Sequence, residues 1–192
     1  MPRCKRLFLP RRLRSIVILR LPGGLMQLSP SCPKPPSPRR GAWWLVILDD
    51  SDQAGALGYH AVTTEGLPLG KVFAVTDLKF GSQWTITTSH ELLEMLADPE
   101  IDLTVFVQPN THTGILYAYE VCDAWGADNL GYKINTTPVS DFVFPAWFES
   151  FRKPGSTQFD YGKHIKKPFE LLPIFALYTT AIIPPRARRC VP

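Results

Sequence analysis

The stretch LSPSCPKPPSPRRG, residues 28–41, sets the first limit on folding, because five of its fourteen residues are proline. Each proline fixes φ and lacks a backbone N–H, so the run can join neither a helix interior nor a sheet ladder. A packed domain must begin after it, and the boundary is placed at residue 42. The charge changes at the same point. Residues 1–42 hold ten Lys and Arg and no acid, residues 43–185 hold eight against seventeen acids, and residues 186–192 add three Arg. The formal charge of +4 therefore combines basic ends with an acidic middle. Such a middle suits a cation site better than a phosphate backbone. It has no basic patch interleaved with aromatic residues, so nucleic acid is not an expected partner.

With 192 residues, 45% of them hydrophobic and 20% charged, the chain has the composition of one globular domain. The expected domain spans 43–173. The leader, 1–42, is expected to be disordered, since its prolines and arginines leave little to bury; an Arg-rich, acid-free start also fits a transit peptide. The last residues, 174–192, carry no acid, lose the texture of the middle and read as an irregular tail foreign to the domain. No stretch approaches the ~20 apolar residues of a membrane helix. Cys4, Cys32, Cys122 and Cys190 form no C-x-x-C pair, hence neither a disulfide framework nor a zinc ribbon.

Apolar runs punctuated by turn residues give an α+β reading. Strands are expected at 43–48 (WWLVIL) and 71–78 (KVFAVTDL), separated by the Gly-rich loop DQAGALGYH and the turn TEGLPLG. Thr85 to Thr88 read as an extended lead-in, with Ser89 as helix N-cap and Pro99 closing the helix. DLTVFVQ and GILYAYEVCDAW, 102–108 and 114–125, follow as strands, then a short strand at GYKI. VSDFVFPAWF is a loop whose aromatics, Phe142, Phe144, Trp147 and Phe148, join Trp125 in the core. The expected architecture is a twisted mixed sheet packed on the helix of SHELLEML.

That helix carries the chemistry. Residues i, i+4 and i+8 project within roughly 80° of one another, so His90, Glu94 and Asp98 share a face. Glu91 sits beside His90, and Leu92, Leu93, Met95 and Leu96 supply an apolar face. The string H-E-x-x-E has the first two residues of the zinc-peptidase helix H-E-x-x-H, with a carboxylate in place of the second imidazole. Like charges one turn apart repel by a few tenths of a kcal/mol per pair, which a cation would offset. Farther on, Glu120 and Asp123 sit in an apolar, aromatic stretch, where an unpaired carboxylate is costly to bury. An acidic surface helix with no metal also accounts for the helix taken alone.

SHELLEMLADP, followed within about thirty residues by YEVCDAW, resembles a set of zincin-like proteins whose helix reads S-H-E-x-x-E-x-x-x-D-P and whose next element reads E-x-x-D. It is more loosely similar to the gluzincins, in which a later glutamate is the third zinc ligand. The resemblance covers residues 60–150 and extends to uncharacterised bacterial or phage-type proteins. It implies a zincin-like domain, with His90 as a metal ligand, Glu91 as general base, Glu94 in the second-ligand position and Glu120 or Asp123 as the third. Asp98 would orient His90 or a partner loop. Glu94 departs from the usual histidine, and more carboxylate blunts the Lewis acidity of the metal. Zinc, or a harder divalent cation, is the implied cofactor.

The implied function is metal-dependent hydrolysis of a peptide or protein. The alternative is a non-catalytic binding or virion-associated structural protein that keeps the shape and a structural ion. His60, His112 and His164 read as loop histidines, and Cys122 as a small core residue. The strand KVFAV is expected to run beside the helix and to pair with an extended substrate.

Overall fold

A computed structural model of the chain describes residues 41–124 and 128–172, together with the backbone of three short strands outside them. Those strands are β1 (Ser15–Leu19), β2 (Gln27–Leu28) and β10 (Arg188–Cys190). Apart from β1 and β2, the leader expected to be disordered lies outside the described residues. So does the tail from residue 173, apart from β10, and so does Trp125. The architecture is α+β.

The main sheet is mixed and has five strands, in the order β2-β1-β3-β5-β4. At its centre, β3 (Trp43–Leu48) runs parallel to β5 (Pro68–Phe73), with Leu45 and Val72 packed against Met95 of the long helix that covers one face. The antiparallel β4 (Gly58–Val62) lies beyond β5 at the sheet edge. KVFAV is therefore interior, flanked on both sides, and cannot accept a substrate strand; β4 is the strand in the edge position. The Gly-rich loop is also shorter than expected, because Gly58, Tyr59 and His60 belong to β4.

The strand expected at 71–78 ends early. After Phe73 the chain turns into α1 (Ala74–Lys79), because the Asp49 carbonyl accepts from the N–H groups of Val75 and Thr76 at 2.9 and 3.2 Å. Those donors would otherwise be orphaned at a helix start. α2 (Trp84–Ala97) likewise begins earlier than expected, and the threonines lie in its first turns rather than in an extended lead-in. Their hydroxyls are satisfied locally: Thr88 donates to the Trp84 carbonyl at 2.6 Å, and Thr87 to Asp77 Oδ1 at 2.8 Å. Ser89 is no N-cap. Its hydroxyl donates back to Thr85 and Ile86 and accepts the Ser140 N–H at 2.7 Å, tying mid-helix to the chain after β9 (Thr137–Val139). The helix stops at Ala97, ahead of Pro99.

β6 (Thr104–Asn110) and β7 (Thr113–Ala118) form a hairpin, and β8 (Tyr132–Ile134) pairs with β9. The strand expected through residue 125 ends at Ala118. Residues 119–124 leave the sheet because Val121 and Cys122 are pinned elsewhere: the Val121 carbonyl accepts the Val143 N–H at 2.8 Å, and Cys122 N–H donates to Glu94 Oε1 at 3.2 Å.

Two apolar clusters flank α2. Leu45, Val72 and Met95 form one, against the sheet. Val121, Cys122, Val143, Trp147, Phe148, Phe159 and Ile165 form the other, with Leu93, Phe142 and Phe169 packed on it. The helix is not apolar on its inner side throughout. Glu91 and Glu94 are 5% and 3% exposed, whereas Leu96, expected on the apolar face, is 43% exposed. Among the described residues, no helix is long and apolar enough to cross a membrane.

Glycine lets α2 approach the sheet. A Cβ on Gly58 would come within 2.8 Å of Glu91 Oε1, 2.7 Å of Thr87 Cγ2 and 2.9 Å of the Lys71 carbonyl oxygen. The last is backbone and cannot swing away. Gly58→Ala is expected to destabilise the fold by about 1–3 kcal/mol, measured by chemical denaturation; an unchanged midpoint would show that the helix seats independently of this contact.

Candidate metal centre

β4, α2 and the 119–124 segment bring two imidazoles and four carboxylates together. On α2, the single-residue step from His90 to Glu91 and the helical repeat to Glu94 point three polar groups at the sheet and at the 119–124 segment. Glu94 Oε2 lies 3.1 Å from His90 Nε2 and 3.3 Å from His60 Nδ1, so one carboxylate oxygen stands between two rings. His90 Nε2 is also 3.3 Å from Asp123 Oδ1. His60 Nδ1 is 3.2 Å from Glu91 Oε2, and its Nε2 is 3.4 Å from Glu120 Oε2. The buried Glu120 Oε2 accepts no hydrogen bond. Among the described residues, each Lys or Arg ion pair lies elsewhere, at Asp52, Asp50 and Glu149.

Donor atoms of His90, Glu94 and Cys122 lie within 4.8 Å of one another, as do those of His60, Glu94 and Glu120. Imidazole and carboxylate are ligands that zinc and related divalent cations accept, and these donors converge with no Lys or Arg ion-paired to them among the described residues. The residues present therefore fit a metal ion. Buried acids elsewhere do different work: both oxygens of Asp160 accept backbone N–H groups of His164 and Ile165, and Asp141 does the same for Phe142 and Gly162.

The electrostatics follow from burial and crowding. Burial opposes charge on His60, but hydrogen bonding to Glu91 and Glu94, with the charges of Glu94 and Glu120, outweighs it and raises its pKa to about 10. Burial likewise opposes charge on His90, and Glu94 and Asp123 push its pKa well above the ordinary value. Burial alone would raise Glu94, yet the two imidazoliums hold it below the usual carboxylate range. Burial raises Glu91, and burial together with Glu94 raises Glu120 to about 7. Burial pushes the Cys122 thiol up as well.

The structure brings together His90, Glu91, Glu94, Glu120 and Asp123. Asp98 does not join them. It caps the end of α2, its oxygens accepting from Leu103 N–H at 2.9 Å and Asp102 N–H at 3.4 Å, and so holds the loop to β6. His60 was missed. It reads as a loop residue, and only the β4–β5 register, with His60 opposite Gly70, sets it over the helix. A Cβ on Gly70 would lie 3.7 Å from Glu91 Cβ, so the absent side chain leaves the helix room beneath this strand pair. His112, at the β6–β7 turn, and His164 are exposed and lie outside the cluster, and Cys122 is fully buried beside it.

Comparison with known protein families, with curated proteins and with solved structures finds no match.

In chelator-treated protein the histidines must find their charge partners in the carboxylates. His60 has a folded pKa of about 10 against 6.5 for the free side chain, so its stabilisation is full below pH 6.5 and lost as pH rises toward 10. Glu120, raised to about 7 from 4.5, loses stability over the lower part of the same rise. Thermal midpoints measured in chelator should thus fall as pH rises from 5 to 10, and His60→Gln should flatten the upper half. A midpoint that climbs over that range would contradict the ion-pair assignments.

Proposed function

We propose that this protein is a zincin-like, metal-dependent hydrolase acting on peptide bonds. His90, Glu94 and Asp123 hold the ion and Glu91 serves as the general base. The observation that carries the reading is the convergence of Glu94 Oε2 and Asp123 Oδ1 on His90 Nε2, at 3.1 and 3.3 Å, from α2 and the 119–124 segment. When bound, the ion supplies Lewis acidity toward a substrate carbonyl and toward water.

The chain's own groups have definable tasks. Glu91 is the neighbour of His90, and burial lifts its carboxyl above the ordinary range, toward the operating pH at which a base works best. His60 Nδ1 fixes the Glu91 carboxylate at 3.2 Å and so limits its rotation. Cys122 N–H does the same for Glu94 from the other side. The antiparallel edge strand β4 carries His60 and offers a direction along which an extended peptide can pair, its outward N–H and C=O groups meeting the substrate backbone. That pairing would lay the peptide against the cluster.

A second reading is favoured by the 5% exposure of Glu91: a non-catalytic protein in which the ion braces β4, α2 and the 119–124 segment. The two separate on one substitution. Glu91→Gln keeps the shape and removes the proton acceptor, so hydrolysis of an unstructured protein substrate should drop by about 10²–10⁴-fold with metal content unchanged. Equal rates in wild type and variant, or none in either, would favour the bracing role. Loss of the metal as well would make Glu91 a ligand.

A further inference from the structure

A single ion at His90 leaves Glu120, and the side of the His60 ring that faces it, outside its ligand set. The ligand atoms of His90 and Glu94 group with Cys122, and Asp123 Oδ1 lies 3.3 Å from His90 Nε2 beside them; those of His60 and Glu94 group with Glu120, and Glu94 alone belongs to both groups. The His60 ring is pressed among three carboxylates, at 3.2, 3.3 and 3.4 Å. Glu120 Oε2, buried and without a hydrogen bond, points at that ring. His60 and Glu120 fall in a group distinct from that of His90, joined to it through Glu94.

We propose that the cluster binds two divalent cations side by side, one held by His90, Glu94 and Asp123, the other by His60, Glu94 and Glu120, with the Glu94 carboxylate shared between them. The proposal rests on the metal-binding half of the reading above and not on the catalytic role of Glu91.

Charge supports it. Ionised together, Glu91, Glu94, Glu120 and Asp123 would bring four negative charges, and no Lys or Arg is paired with them among the described residues. One divalent ion with neutral imidazoles would leave two of these carboxylates unbalanced, in a place where Glu91 and Glu94 are almost wholly buried. Two divalent ions balance them. Position supports it as well. Paired metal sites hold their ions about 3.5–4 Å apart, a spacing that one carboxylate can bridge. The Glu94 carboxylate is between the rings already and is anchored through Oε1 by the Cys122 amide. Each half offers one imidazole with carboxylate oxygens, a set that suits zinc or manganese.

The full chain, stripped with chelator, reloaded with Zn²⁺ and freed of excess ion, should carry about two equivalents by elemental analysis, consistent with a paired site. His60→Gln and His90→Gln should each carry about one, with circular dichroism confirming the fold. Loaded with Mn²⁺, the wild type should give the spin-coupled resonance of two ions sharing a ligand, and His60→Gln that of an isolated ion. Should His60→Gln fail to fold, Glu120→Gln takes its place with the same expectation. One equivalent in the wild type overturns the pair and leaves the proposed hydrolase standing, whereas no bound metal overturns both. Two equivalents retained in folded His60→Gln overturn the assignment of His60.

Discussion

A carboxylate as deeply buried as that of Glu94 must be met by hydrogen-bond donors or positive charge, or its desolvation would cost several kcal/mol. Much of the chain is arranged around meeting it. β4 supplies one imidazole, the helix itself supplies another one turn earlier, and the 119–124 segment leaves its sheet to donate the Cys122 amide. Each of these three elements also contributes a further acid or lies against one, so the need for positive charge grows with every partner added. A divalent cation resolves that conflict more completely than protonated histidines, because it pairs with several carboxylates at once.

The packing shows why the conflict can be sustained. Met95 against Leu45 and Val72 seats α2 on the sheet, while Leu93 reaches the aromatic cluster of Trp147, Phe148 and Phe159 on its other flank. Tyr119 stacks on Phe148 with ring centroids 4.2 Å apart, immediately before Glu120, so the acidic segment is steered by apolar contacts on its neighbour. Gly58 and Gly70 permit the close approach that places His60 over Glu91. The apolar contacts hold the polar centre in place: rigid support outside, crowded charge inside.

What the sequence made legible follows from the reach of local patterns. The strand at 43–48, the hairpin strands and the helix up to Pro99 come from apolar runs and breakers. The grouping of His90, Glu91 and Glu94 follows from helical spacing alone. The start of α2 was obscured because threonine disfavours helix in isolation, while here its hydroxyls bond within the helix and to Asp77. The helix after Phe73 depended on a distant carbonyl, that of Asp49. His60 depended on strand register, a long-range property that no window of sequence around GYHAV contains. Asp98 looked like part of the acidic face because i+8 spacing ignores where a helix ends; at the terminus its carboxylate turns to the loop amides instead.

The central claim is that imidazole and carboxylate donors from β4, α2 and the 119–124 segment bind a divalent metal, and X-ray absorption at the zinc edge of the zinc-loaded full chain tests it most directly. The account predicts a first shell of nitrogen and oxygen at about 2.0–2.2 Å with the outer-shell scattering of coordinated imidazole, and loss of that imidazole signal when His60 and His90 are both replaced by Gln. Zinc that washes away, or that is retained with no imidazole scattering, would contradict it.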